Sequence, residues 1–77
     1  PDMKNKIIEA EYEIAFIKYK QKKYDESEML FRQLLDKYET DEAIYYPEWP
    51  RTMANKILPE IEKDRNKKTL FSWLKHK

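Results

Sequence analysis

The chain contains no cysteine and no glycine among its 77 residues. Without cysteine, disulfide bonds and thiolate metal sites are excluded. Without glycine, the phosphate-binding and dinucleotide-binding loops are excluded, because their backbone approaches the phosphates only where no Cβ intervenes. The tight turns of β-hairpins also depend on glycine. The absence of glycine, together with abundant Lys, Glu, Leu and Ile, therefore predicts an all-α fold.

Catalytic side chains and long apolar runs are scarce as well. His76 is the single histidine and lies next to the end of the sequence, so no serine or cysteine triad can be assembled around it. Neighbouring carboxylates such as Asp25 and Glu26 would need a cleft that separates their pKa values, and a short chain offers little room for one. No calcium-binding loop pattern is present, and no apolar run approaches the length of about 18 residues that a membrane span requires. We therefore predict that the protein is not an enzyme and uses no cofactor or metal.

Length and charge distribution define the organisation of the chain. Its 77 residues allow one small domain, and with 40% apolar and 40% charged residues we expect a thin core and some apolar surface facing a partner. All 15 acidic residues lie in 1–66, whereas residues 67–77 hold four lysines and no acid. We therefore predict a domain, 1–66, and a basic aromatic tail, 67–77.

With a net charge of +1, a nucleic-acid partner is not expected. Because the sequence begins with Pro1 rather than methionine, we expect a processed or trimmed chain.

Two helices are predicted in the first half of the chain. Residues 3–21 carry two apolar stripes at helical spacing, one made of Ile7, Ala10, Ile14 and Ile17 and the other of Ile8, Tyr12, Ala15 and Tyr19. A helix of this kind is expected to contact neighbours on two sides. A second helix is predicted over 25–38, opened by a capping box from Asp25 to Glu28. The short gap between the helices favours an antiparallel hairpin.

A third helix is predicted from Pro50, which suits the first helical turn because its missing N–H costs nothing there. Its apolar stripe consists of Met53, Ala54, Ile57, Leu58 and Ile61. Pro59 is expected to kink this helix, and Asn66 to end it as a C-terminal cap. Thr69 would then cap a short turn of an amphipathic tail.

The segment YKQKKYDESEMLFRQLLDKYE places Tyr19, Tyr24, Ser27, Phe31, Leu34 and Tyr38 at a characteristic spacing. Over about residues 8–39 it resembles one tetratricopeptide repeat, and its end is most similar to the BamD-type outer-membrane-assembly lipoproteins of bacteria. The resemblance implies that the small residues Ala15 and Ser27 let the two helices approach, while Phe31 and Leu34 fill the space between them. Lys22 departs from the family's usual glycine and Glu39 from its usual proline. An unrelated three-helix bundle is the alternative.

The resemblance implies a scaffold or adaptor that binds a peptide or helix of another protein in a groove. The candidate partner-binding residues are Tyr12, Lys18 and Tyr19 on the first helix, Tyr45, Tyr46 and Trp49 in the aromatic loop, and Phe71 and Trp73 in the tail. For each group the alternative is packing within the chain. The tyrosines of the first helix would be half-buried core, the loop aromatics would cap that core, and the tail would dock on the third helix.

Two further functions stay open at this stage. The tail combines lysines with apolar residues, which suits an anionic membrane surface and would make the chain a membrane-peripheral assembly subunit. The BamD-type resemblance would place such a subunit in the periplasm or at a membrane, and otherwise the cytoplasm is expected. Alternatively, the chain is a structural homo-oligomer whose exposed stripes face a copy of itself.

Overall fold

A computed structural model describes the backbone of residues 2–75 and the side chains of residue 3 and residues 5–67. Helix α1 spans Asp2–Lys20, helix α2 spans Tyr24–Lys37 and helix α3 spans Trp49–Lys75. A short 3-10 helix, Asp41–Tyr45, lies between α2 and α3. The described backbone contains no strand. The predicted all-α fold is therefore confirmed.

Helices α1 and α2 pack as an antiparallel pair. Near the turn, the ring centroids of Tyr19 and Tyr24 lie 6.2 Å apart. Further from the turn, Tyr12 on α1 packs against Phe31 on α2, with the ring centroids 5.8 Å apart. Later residues of α2 therefore contact earlier residues of α1. This antiparallel arrangement is expected of two helices joined by a short connection.

The turn between α1 and α2 is closed by two backbone hydrogen bonds in the Schellman pattern. The N–H of Lys22 donates to the carbonyl of Tyr19 at 3.0 Å, and the N–H of Lys23 donates to the carbonyl of Lys18 at 2.9 Å. This pattern needs a left-handed residue, and Lys22 has a φ of 65°. A residue with a Cβ adopts this conformation at a cost of about 1–2 kcal/mol. Lys22 is also the position at which the repeat resemblance expects glycine.

Helix α2 begins one residue earlier than predicted, and the predicted capping box is not formed. Lys23 is the N-cap residue, and no side chain caps the helix. The carboxylates of Asp25 and Glu28 instead contact the guanidinium of Arg65 on α3, at 2.7 and 3.0 Å. Hydrogen bonds from Arg32 and from Arg65 hold the pKa of Glu28 below its ordinary value. The capping prediction was wrong because a charged partner from a distant segment competes for both carboxylates.

The three helices meet in a small core. Its residues with less than 2% exposure are Ile8, Ala15, Ser27, Phe31, Leu34, Pro50, Ala54 and Ile61. Burying a large apolar side chain contributes about 1.5–3 kcal/mol relative to leaving it exposed, so the few large members of this set dominate the stability of the fold. Phe31 and Leu34, which were predicted to fill the space between the helices, are both 0% exposed.

Helix α3 is longer than predicted. It continues through Pro59 and past Asn66 to Lys75, so the prediction that Asn66 ends the helix was wrong. The alternative in which the tail docks on α3 does not agree with the backbone of residues 67–75, which directly continues that helix. Pro59 offers no N–H to the carbonyl of Asn55. Both residues lie on an exposed side of α3, where water can reach this carbonyl.

The end of α3 extends beyond the hairpin. Tyr19, close to the turn, donates to a carboxylate oxygen of Asp64 at 3.1 Å, and Arg65 contacts Asp25 just after the turn. The residues that follow Arg65 therefore project past the turn, by about 1.5 Å for each helical residue. The radius of gyration is 14.8 Å, larger than the roughly 11.5 Å of a compact chain of this length. The molecule is accordingly elongated, with extents of 55 × 19 × 15 Å.

Candidate functional site

Helix α1 carries an apolar stripe on the side that faces away from the core. Ile7, Ile14 and Ile17 are 52%, 49% and 52% exposed, and Met3 is 77% exposed. Ala10 is exposed as well. Steps of three and four residues bring all of them into one line along the helix. We call this set, which consists of Met3, Ile7, Ala10, Ile14 and Ile17, the α1 stripe.

The other stripe of α1 faces the core because small residues lie at its contact with α2. The hydroxyl of Ser27 donates to the backbone carbonyl of Ala15 at 2.8 Å, and both residues are fully buried. The close approach of α1 and α2 therefore occurs on the face that carries Ala15. Ile8 and Tyr12 share that face, with 1% and 8% exposure. The prediction of a two-sided helix is therefore half fulfilled, because α2 and α3 cover one side and the α1 stripe lies open.

The α1 stripe borders a shallow groove between α1 and α2. Ile14 lines this groove together with Glu11, Leu30, Gln33 and Lys37. Ile7 lines a separate depression together with Lys37, Thr40 and Tyr46. The ammonium of Lys37 pairs with Glu11 across the groove. The site is thus an apolar ridge with a charged rim, which suits a helix that presents both apolar and charged side chains.

Charged residues follow both edges of the α1 stripe. Glu11 and Lys18 lie on the edge beside α2, where Glu11 pairs with Lys37 and Lys18 pairs with Glu26 at 3.6 Å. Lys6 and Glu13 lie on the opposite edge, and both are exposed. In sequence order, the edge beside α2 therefore presents a negative and then a positive charge, and the opposite edge presents a positive and then a negative charge.

The predicted groove residues of α1 are occupied by contacts within the chain. Tyr12 packs against Phe31, and its ring centroid lies 5.0 Å from that of Trp49 in an edge-on arrangement. Burial raises the pKa of Tyr12. Tyr19 is half-buried, and its pKa is raised first by burial and then by its hydrogen bond to Asp64. These placements correct the expectation that Tyr12 and Tyr19 line an open groove, since they pack towards α3.

The aromatic residues of the loop are divided between core and surface. Tyr46 is partly buried, with its ring centroid 5.3 Å from that of Tyr38 in an edge-on arrangement. Tyr45 and Trp49 are 53% and 43% exposed. Ile44, which was not among the predicted site residues, is 81% exposed. Trp49 is the first residue of α3 and not a loop residue.

The side chains of Phe71 and Trp73, the two predicted partner-binding residues of the tail, lie outside the described part of the structure. The backbone at both positions belongs to α3. Among the described residues, no cluster of three or more His, Cys, Asp or Glu side chains could hold a metal ion. None of the described helices combines the length and apolar character needed to cross a membrane.

The sequence pattern identified Ile7, Ala10, Ile14 and Ile17 as a stripe, without Met3, but these residues were not among the predicted partner-binding residues. The sequence did contain a signal for this surface. Apolar residues at alternating steps of three and four are typical of the face by which one helix packs against another. Helical periodicity cannot by itself assign which of two stripes faces the core. Comparison with protein-family models, with curated proteins and with solved structures found no match to this chain.

Proposed function

We propose that this domain is a non-catalytic protein-interaction module whose α1 stripe binds a helix of another polypeptide. The observation that carries the proposal is the line of three isoleucines on α1, each about half exposed, on the side opposite the core. Contiguous exposed apolar surface rimmed by polar residues is typical of an interaction site.

The spacing of the stripe supports a helical partner. Binding of a helix in a groove uses anchors at steps of three and four residues, and the α1 stripe offers this periodicity along most of the helix. The charged rim made by Glu11 with Lys37 and by Lys18 with Glu26 would orient that partner. Covering the exposed halves of the isoleucines contributes about 25 cal/mol for each Å² of apolar area removed from water.

The resemblance of residues 8–39 to a tetratricopeptide repeat supports the same class of function. Repeats of this kind act as scaffolds, and they stack on neighbouring units through faces that a single unit leaves open. A helix that covers the α1 stripe could accordingly come from another protein or from a further unit of the same polypeptide. Both are helices with an apolar face, so the chemistry of recognition is shared.

A selected helical peptide provides the test. A displayed library of amphipathic helices about 20 residues long would be selected against the full chain, and binding would be mapped by amide chemical shifts in NMR spectra. We expect the shifts to concentrate along the α1 stripe and around Leu30. In the double variant Ile14→Glu with Ile17→Glu, the dissociation constant should rise at least about tenfold.

The matched control is Ile44→Glu, which introduces the same carboxylate at an exposed apolar residue outside α1. It should leave peptide affinity unchanged, and circular dichroism should show that all variants remain folded. Peptides that bind equally well to the stripe variant, or that shift only residues away from α1, would overturn the proposal.

A further inference from the structure

The α1 stripe follows a heptad pattern. Ile7 and Ile14 take the a positions, and Met3, Ala10 and Ile17 take the d positions. Alternating steps of three and four residues over two heptads form the seam of a coiled coil, in which two helices are enough to cover the a and d side chains. All five side chains are exposed, so the seam is available on the folded domain.

The flanking charges then specify how two such seams can pair. In this register Lys6 and Glu13 are g residues, while Glu11 and Lys18 are e residues. In a parallel, in-register pair of helices, each g residue meets the e residue five positions later on the other helix. Lys6 would therefore meet Glu11, and Glu13 would meet Lys18, from both sides of the seam. Every inter-helix pair of g and e residues within the stripe joins opposite charges.

Antiparallel pairing is disfavoured by the same residues. The antiparallel register that sets Ile7 against Ile17 and Ala10 against Ile14 would bring Glu11 against Glu11 and Glu13 against Glu13. Like charges at such positions are destabilising. A shift by one heptad restores opposite charges, but it leaves Ile17 with no α1 residue opposite in one direction, and Met3, Ile7 and Ala10 with none in the other.

Contacts within the chain reinforce the parallel arrangement. Glu11 already pairs with Lys37, and Lys18 already pairs with Glu26. A second copy would add Lys6 beside Glu11 and Glu13 beside Lys18. Each e residue would then lie between two charges of the opposite sign, and such a network contributes more than an isolated surface pair.

We infer that a second copy of this chain binds the α1 stripe, forming a parallel, in-register α1–α1 dimer. The inference rests on the proposed function, since it names the partner of the same surface. Helices α2 and α3 contact α1 through Ile8, Tyr12 and Ala15, which lie on the side away from the seam. Because α1 is already folded within the domain, dimerisation does not require the formation of a new helix.

The size of the seam sets the strength of the dimer. Two heptads bury about 1,000 Å² in total, which is at the lower end of specific interfaces, so we expect dissociation in the micromolar range. Sedimentation equilibrium of the full chain from about 10 µM to about 1 mM should show the average mass rising from one copy towards two.

A charge swap tests the pairing at constant net charge. The double variant Lys6→Glu with Glu13→Lys makes every pair of g and e residues in the parallel seam a pair of like charges, while the core contacts are untouched. We expect its dissociation constant to rise at least about tenfold. Wild-type dimerisation in this variant would overturn the inferred pairing.

A single cysteine tests the orientation, because the natural chain has none. In a parallel, in-register dimer the two copies of Ala10→Cys lie directly opposite each other and should form a disulfide under mild oxidation. The control Asn55→Cys, at an exposed position on α3, should not cross-link at a comparable rate. Absence of rapid cross-linking at position 10 in a dimer would overturn the parallel orientation.

The outcome for the dimer and the outcome for the proposed function can be told apart. A chain that stays monomeric at every concentration overturns the second-copy inference. If helical peptides still bind the α1 stripe of that monomer, the proposed function stands and the occupant is a foreign helix or another unit of a longer chain. If the stripe variant Ile14→Glu with Ile17→Glu changes neither mass nor peptide affinity, both proposals fail.

Discussion

The hydroxyl of Ser27 donates a hydrogen bond to the backbone carbonyl of Ala15 at 2.8 Å, and neither residue has exposed surface. This contact holds α1 and α2 at close range. A serine in this position has two roles, since its small size allows the approach and its hydroxyl finds an acceptor within a buried environment. Substitutions that change these two properties separately should therefore have different effects.

Ser27→Ala keeps the small size and removes the donor, so we expect a loss of about 0.5–1.5 kcal/mol in the free energy of unfolding. Ser27→Trp keeps neither property, and because packed interiors do not accommodate large insertions we expect it to disrupt the hairpin. Urea denaturation followed by circular dichroism measures both. A tryptophan variant with native stability would show that close approach is not required.

The two apolar faces of the hairpin should respond differently to truncation. Phe31 is 0% exposed, so Phe31→Ala is expected to lower the free energy of unfolding by about 3–5 kcal/mol. Ile14 is 49% exposed, and in dilute solution, where the chain is a monomer, Ile14→Ala is expected to change the free energy of unfolding by less than about 0.5 kcal/mol. Comparable losses for the two variants would mean that the α1 stripe is covered within the monomer, and a small loss for Phe31→Ala would contradict the packing of α2.

Lys22 adopts a left-handed backbone conformation, which makes it a target for stabilisation. Its φ is 65°, and Lys22→Gly removes the Cβ that opposes this conformation. Glycine also raises the entropy of the unfolded chain, which offsets part of this effect. We therefore expect the free energy of unfolding to increase by about 0.5–1 kcal/mol. The control Gln21→Gly, at a neighbouring residue without a positive φ, should be destabilising. If both variants were equally destabilised, the Schellman turn would be absent in solution.

The burial of Tyr38 should make the free energy of unfolding depend on pH in the alkaline range. It is 7% exposed, and its hydroxyl donates to the carbonyl of Pro47 at 2.7 Å. Burial, followed by the nearby Glu48, raises the pKa of Tyr38 from 10.0 to about 12. Because the folded state binds this proton more tightly than the unfolded state, the stabilising contribution is complete below pH 10.0 and is lost as pH rises towards about 12.

The variant Tyr38→Phe should therefore be less stable than the natural chain at pH 7, by about 0.5–1.5 kcal/mol for the lost hydrogen bond. It should also lose less stability than the natural chain at strongly alkaline pH. Burial raises the pKa of Tyr12 and Tyr19 as well, so the remaining slope will not be zero. Chemical denaturation between neutral and strongly alkaline pH gives both quantities, and an unchanged slope in the variant would contradict a buried Tyr38.

Much of the fold was predictable from local pattern. The periodicity of Phe31 and Leu34 placed them in the core, and the stripe of Ala54, Ile57 and Ile61 on α3 is buried as the spacing indicated. These predictions succeed because a helix buries whichever single line of side chains is apolar. They concern α2 and α3, in which one face is clearly more apolar than the rest.

Three features were not predictable in this way. Asp25 and Glu28 have the spacing of a capping box, but they contact Arg65 from about 40 positions further along the chain. Asn66 can end a helix or lie within one, and here the helix continues. The sequence allowed Tyr12 to be a core or a groove residue, and its contact with Trp49 assigns it to the core. For the two carboxylates and for Tyr12 the deciding partner is distant in sequence.

The sequence by itself determined that this chain is helical, that it has no thiol chemistry or glycine-dependent loop, and that α1 has two apolar faces. Those properties follow from residue types and from periodicity along a single helix. Only the tertiary structure decided which face of α1 is covered. The small residues Ala15 and Ser27 permit close approach on one side, so α2 packs there, and the line of isoleucines on the other side faces solvent. The choice between two apolar faces depends on shape complementarity between helices, which no property of one helix specifies.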